Sequence, residues 1–187
     1  MNRAWGALAL CIGCAPSSAT PSPEPPPDSP PASAVDEASA QASAAPREGV
    51  PIELDVPLIS GESEALAALR GKVVVLMLSS SDRPGWSGFR SHFESRLDQI
   101  GRERLVVVAV ANDADPEHLK AEWDRDPPPF LLGWDPDGAL ALRLGVAALP
   151  AVFVLDPDGH ARGNLASVDA AALATIDAWV DEALASR

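Results

Sequence analysis

Two apolar runs limit most strongly what this chain can fold into. "KVVVLMLSS" (72–80) and "RLVVVAVAND" (104–113) are almost unbroken stretches of β-branched and aliphatic residues. A strand with one face in water alternates apolar and polar residues, whereas a strand buried on both faces stays apolar throughout. Both segments therefore read as interior strands of a sheet covered on each side. Between them, Trp86, Phe89, Phe93, Leu97 and Ile100 recur in steps of three and four, the stripe of a helix lying on a core. Pro84 has the fixed φ that suits a first helical turn, and Gly101 is placed to end the helix. A crossover helix over 86–100 predicts that 73–78 and 105–110 lie side by side and parallel.

The remainder of the C-terminal part continues the alternation. In "ADPEHLKAEW", Asp115 is a good N-cap, Pro116 fits the first turn, and Leu119 and Trp123 share a face. "PPPFLLGWDPDGALALRLGV" begins extended, turns at 135–138 and continues as a short helix. "PAVFVLDPDGHARG" reads as a strand, a tight turn at 156–159 and a partner strand. "SVDAAALATIDAWVDEAL" closes the chain with an amphipathic helix that turns Leu173, Ile176, Trp179 and Val180 inward. The order β-α-β-α, then β-β-α, makes an α/β fold with a central mixed sheet and helices on both sides.

This folded part starts near Val50 and spans 50–187, one domain of a size that buries a real core. Upstream the composition changes. Residues 15–49 hold many of the chain's 19 prolines and almost no large apolar side chain, so burial cannot offset their ordering entropy. They read as a disordered tether. Before it, "MNRAWGALALCIGCAPSS" gives Arg3, an apolar run over 4–14 and then small polar residues. That is the pattern of an export signal, too short to span a bilayer.

The signal contains the only two cysteines, Cys11 and Cys14. Their spacing suits a dithiol, but a reactive thiolate needs a helix N-terminus or a cationic setting, and nothing folded surrounds them. The segment instead resembles a bacterial lipoprotein lipobox ending the signal peptide (1–14) at Cys14, which Gly13 and Ile12 precede. Cys11 follows the bulky Leu10 and stands where such motifs usually carry Leu, so it is the weaker lipidation candidate. An ordinary secretory signal with an incidental cysteine is the competing interpretation. The formal net charge of −13 counts against nucleic acid and anionic lipid surfaces as partners.

The domain resembles the thioredoxin-like fold, a three-layer α/β/α arrangement, in its TlpA-like and redoxin (AhpC/TSA-related) branch of thiol–disulfide oxidoreductases. The residues that carry the resemblance are "LRGKVVVLML", the block "DPDGALALRLGVAALPAVFVLDPDG" and the C-terminal helix. In that block, Gly145, Val146, Pro150, Phe153, Asp156 and Gly159 match the family's segment around its cis-proline, which implies a cis bond between Leu149 and Pro150. The resemblance also implies a redox loop, W-C-x-x-C, at the start of the helix after the first long strand. Here that loop is "SSSDRPGWSGF", and the two cysteine positions fall on Arg83 and Trp86, with Pro84 and Gly85 between. A peroxidatic cysteine is missing there too.

Thiol–disulfide exchange needs one sulfur to attack and a second to resolve the mixed disulfide. The chain has no thiol after Cys14. Ser79, Ser80 and Ser81 precede the helix, but a serine nucleophile needs a positioned base, and sequence spacing places none of His92, His118 and His160 beside them. The two DPDG segments read as turns, each lacking the other ligands of a calcium loop, and no zinc spacing or cofactor motif appears. Arg83 opposes the helix macrodipole. Either Asp82 compensates it, or Arg83 and the free N–H groups of the helix start form an anion site.

These readings predict an exported, lipid-anchored thioredoxin-like domain facing the periplasm or exterior, without catalytic residues, metal or cofactor. Its role is binding or accessory, through a candidate groove formed by Arg83, Pro84, Gly85, Trp86, Leu149 and Pro150. In active relatives the corresponding groove holds an extended substrate segment, so a cell-envelope protein or peptide is the expected partner. The alternative is an oxidoreductase of the thioredoxin/redoxin class, as the family resemblance implies. For the anchor, metabolic labelling with a fatty-acid analogue should be lost in Cys14→Ser and retained in Cys11→Ser; the reverse pattern would move the lipid to Cys11.

Overall fold

A computed structural model describes residues 50–80, 82–113 and 115–186 of the protein. The expected export signal at 1–14, the lipidation candidate Cys14, the tether at 15–49 and Ser81 lie outside the described residues. In chain order the elements are β1 (Asp55–Pro57), β2 (Ser63–Ala65), β3 (Val73–Ser79), α1 (Trp86–Ile100), β4 (Leu105–Ala111), α2 (Pro116–Arg125), β5 (Leu131–Trp134), α3 (Ala139–Arg143), β6 (Ala151–Leu155), β7 (Ala161–Leu165) and α4 (Ala170–Ala185). A 3-10 turn at Leu66–Leu69 leads from β2 towards β3.

β3 and β4 pair in parallel from Val73↔Leu105 to Ser79↔Ala111, as a crossover helix between them requires. β5 continues the sheet in parallel beyond β4. β6 runs antiparallel to β3, and β7 antiparallel to β6, so the order is β5-β4-β3-β6-β7 and the sheet is mixed. The expected thioredoxin-like three-layer architecture is the one observed.

Strand residues alternate between two cores because successive side chains point to opposite faces. Val73, Val75, Met77, Val107, Ala109, Val152 and Val154 lie under α1 and α4, against Phe89, Phe93, Leu97, Ile176 and Val180. Val74, Leu76, Leu78, Val108, Val110, Phe153 and Leu155 lie on the other face. There α3 supplies Leu140, while residues upstream of β3 add Ile52, Val56, Leu66 and Leu69.

The stretch before β3, which periodicity left without an element, thus completes the second layer. It forms an antiparallel pair, β1 with β2, and runs as a strap over the sheet. At one end Pro51 bridges His160 and Ile52 N–H donates to Gly159 O (2.9 Å). At the other, Leu58 bridges Gly133 and Ile59 N–H donates to Leu132 O (3.0 Å). The approach at Gly133 is close enough that a Cβ would lie 2.9 Å from Val56 Cγ1.

Most helix ends follow the sequence signals. Gly101 ends α1, and Asp115 caps α2 by accepting from Glu117 N–H (3.0 Å) and His118 N–H (3.2 Å), with Pro116 next. One expectation is corrected: α1 begins at Trp86 with Gly85 as its N-cap, so Pro84 lies in the turn before the helix rather than in its first turn. The left-handed Gly85 (φ 97°) reverses the chain and breaks helical geometry at that point. Asp169 caps α4, accepting from Ala172 N–H (2.9 Å). That bond, with the hydroxyl of Ser167, holds its carboxyl below the usual carboxylate range.

α4 lies against β7 through a close contact. Gly163 carries no side chain where Trp179 rests: a Cβ there would come within 2.5 Å of Trp179 Cζ2. Gly163→Ala should therefore push the indole outward and destabilise the domain by about 1–3 kcal/mol, the usual cost of overpacking. A lowered urea midpoint with red-shifted tryptophan emission is the expected result.

Candidate functional site

Because β3, β4 and β5 are parallel, their carboxyl ends meet at one edge of the sheet, where open α/β folds place their ligand sites. β6 runs the other way, so its start arrives at this same edge, with Ala151 paired to Leu78. Leu149 and Pro150 immediately precede Ala151 and are joined by a cis peptide bond, as the resemblance implied. Both are half-buried.

From the end of β3 the chain winds into α1 through two consecutive turns. Arg83 N–H donates to Ser80 O (3.1 Å), and Trp86 N–H donates to Arg83 O (3.3 Å). Arg83 and Pro84 are exposed, Gly85 and Trp86 half-buried. Trp86 packs against the core beneath α1 and against a further cluster of Ala111, Leu119, Trp123 and Trp134. Its ring stacks on Phe89 at 6.3 Å and 16°. The indole therefore fills the junction between two cores, and the candidate-groove residues at 83–86 and 149–150 converge on one end of the sheet.

Sequence reasoning missed the polar neighbours of this turn. Ser80 Oγ lies 2.6 Å from Asp82 Oδ1 and 3.0 Å from Asp113 Oδ1, so one hydroxyl proton serves two carboxylates in turn. Trp134 Nε1–H donates to Asp113 O (2.8 Å). The signal was present, since Asp113 closes the second apolar run and parallel pairing brings it beside the end of the first. Compensation of Arg83 by Asp82 is not made by contact: Asp82 is engaged by Ser80, and Arg83 forms no ion pair among the described residues. A cation opposing the macrodipole costs only about 0.3–1 kcal/mol at an exposed site, so the turn tolerates it.

Among the described residues, neither Ser79 nor Ser80 is hydrogen-bonded to a histidine. Ser79 Oγ donates to Ser80 O (3.2 Å), and His92 lies instead between α1 and α4, 3.0 Å from Asp177 Oδ1. His118 is exposed on α2 and His160 belongs to the hairpin at the opposite end of the sheet. The two DPDG segments act as turns. Asp135 Oδ2 accepts from Leu140 N–H (3.0 Å) and Ala141 N–H (3.1 Å) at the start of α3, and Asp156 Oδ1 accepts from Asp158 N–H (3.0 Å) and His160 N–H (2.9 Å). Asp156, Asp158 and His160 each bring one possible ligand atom within 4.8 Å of the others, but Asp156 Oδ2 already faces Arg162 Nε at 3.2 Å. The only sulfur in the described residues is the fully buried thioether of Met77.

The AhpC/TSA family model matches residues 48–163. No curated protein matches the chain. Among solved structures, the chain is similar to a candidate thiol:disulfide interchange protein DsbE from Chlorobium tepidum, with a TM-score of 0.68 and 20% identity over 75% of this chain and 99% of that one. It is also similar to a secreted Mycobacterium tuberculosis disulfide oxidoreductase homologous to E. coli DsbE (TM-score 0.57, 20% identity, 69% and 95% covered). A third is peroxidoxin BcpB from Mycobacterium tuberculosis (TM-score 0.58, 21% identity, 76% and 96% covered). At these identities the likeness shows a shared fold.

The turn that carries Arg83 and Trp86 depends on Gly85. Its φ is +97°, and an added Cβ would lie 2.5 Å from Val168 Cγ2. Gly85→Ala should cost about 1–3 kcal/mol of stability from the left-handed backbone alone, with the clash adding to it. The expected readout is a lower urea midpoint, partly recovered when Val168→Ala is added.

Proposed function

We propose that this chain, which belongs to the AhpC/TSA family, is an exported, lipid-anchored domain that binds an extended peptide segment without thiol chemistry. The observation that carries the reading is the composition of the turn before α1. Arg83-Pro84-Gly85-Trp86 occupies the place where the resemblance puts two cysteines, and no thiol follows Cys14 anywhere in the chain. Arg83 has no sulfur to attack a disulfide, and Trp86 has none to resolve one. What remains is surface: the half-buried Trp86 and the Leu149–Pro150 segment offer apolar contact, beside the exposed Ala147 and Ala148. Export and anchoring rest on residues 1–14 and on the lipobox resemblance at Cys14.

The second reading is an oxidoreductase or antioxidant enzyme. The similar structures favour it, since they are a thiol:disulfide interchange protein, a disulfide oxidoreductase and a peroxidoxin. Shared fold does not transfer activity, which resides in the site.

Assays of disulfide reduction and peroxide consumption separate the two readings. The chain should show neither above buffer, with Cys11 and Cys14 replaced by serine so that no thiol contributes. Arg83→Cys with Trp86→Cys should introduce exchange activity, because a helix start favours a thiolate. Removing a fully buried tryptophan costs about 3–5 kcal/mol, and the half-buried Trp86 should cost less, so the double variant should still fold. Turnover by the cysteine-free parent would overturn the binding reading. A photocrosslinking residue at Leu149 should capture an envelope peptide, with capture reduced several-fold in Trp86→Ala.

A further inference from the structure

Trp123 and Trp134 belong to one hydrophobic cluster, and their indole N–H groups differ in their surroundings. Trp134 Nε1–H donates to the Asp113 carbonyl. Trp123 on α2 is 4% exposed, its Nε1 is fully buried, and among the described residues no acceptor meets it. An indole N–H can only donate, and burial strips it of solvent, so the group carries an uncompensated desolvation cost unless something accepts from it.

Beside that ring is a recess of about 10 Å³, bordered by Ser79, Ser80, Trp86, Val110, Ala111 and Trp123. A buried water needs about 10–15 Å³ of such room and two to four polar partners. Ser79 and Ser80 border the same recess and carry the hydroxyl oxygens that a water would use as its other partners. Each commits its hydroxyl proton elsewhere, Ser79 to the Ser80 carbonyl and Ser80 to the carboxylates of Asp82 and Asp113. Their oxygens keep lone pairs for a donor.

We infer that the recess beneath Trp86 is a binding site for one long-lived water molecule. The water accepts from Trp123 Nε1–H and donates to the serine hydroxyl oxygens, tying α2 to the carboxyl end of β3. The recess of about 10 Å³ has room for one molecule only, and Val110 and Ala111 make its remaining wall apolar. This site stands whether or not the groove above it binds a peptide.

The test uses the full chain labelled with ¹⁵N at the indole nitrogens and measures cross-relaxation between each indole proton and water. Trp123 should give a water cross-peak with the sign of a long-lived complex, identified by its loss in Trp123→Phe, and Trp134 should give none. Ala111→Val, whose added methyl groups fill the recess, should abolish the Trp123 cross-peak while the indole signal itself remains. Trp123→Phe should also lower the urea midpoint, because a satisfied bridge is removed. Absence of the Trp123 cross-peak in the parent, its survival in Ala111→Val, or a raised midpoint in Trp123→Phe would each overturn the inference; the last would mark a dry recess relieved of an unpaired donor.

Discussion

β3 pairs with β4 along one side and β6 along the other, and every one of its residues from Val73 to Ser79 is buried. Such a strand has no face to offer water, so the chain must supply cover twice. Fully burying one Val, Leu or Met side chain contributes about 1.5–3 kcal/mol, and seven adjacent buried positions make this strand the part of the fold least open to compromise. α1 and α4 cover one face with Phe89, Phe93, Ile176 and Val180. The short α3 cannot cover the other alone, so the strap from Ile52 onward is drawn across it.

The site follows from the same arrangement. Parallel pairing of β3 with β4 brings Ser80 and Asp113 together although they stand 33 residues apart in sequence. Antiparallel pairing with β6 delivers Pro150 to that end of the sheet. A fold that gathers backbone turns and loop side chains at one edge retains a shaped surface there even when the residues in the turn change. Arg83 and Trp86 meet such an edge in two ways: as an exposed cation that costs little, and as an indole that joins two cores.

Strongly periodic elements were legible because local pattern and tertiary role coincide in them. The stripe from Trp86 to Ile100 and the two apolar runs gave α1, β3, β4 and their parallel pairing. Turn chemistry gave the hairpin at Asp156 and the cap at Asp115. β1 and β2 were not legible, since each has only three residues and is held by pairing with the other and by bridges at the flanking Pro51 and Leu58 rather than by any period of its own. The bounds of α1 at 86–100 were legible from its apolar stripe, but Pro84 was assigned to the first turn because a left-handed glycine at 85, which sets the boundary, leaves no periodic signal. In the site, Arg83, Trp86 and Pro150 were found by counting along motifs. Asp113 and Trp123 were missed because their roles arise only once β4 and α2 are packed beside the end of β3.

The strap has a further consequence for life at high local concentration. Open sheets end in strands whose free N–H and C=O groups invite pairing with a neighbouring molecule. Here Leu58 and Ile59 occupy part of that row on β5, through the bridge at Gly133 and the bond to Leu132 O. On the opposite margin β7 is interrupted by a bulge opposite Leu155 and shows Arg162 and Asn164 to solvent. Each margin therefore presents a poor template for sheet-to-sheet aggregation, and crowding many copies together carries little risk of their merging into a continuous sheet.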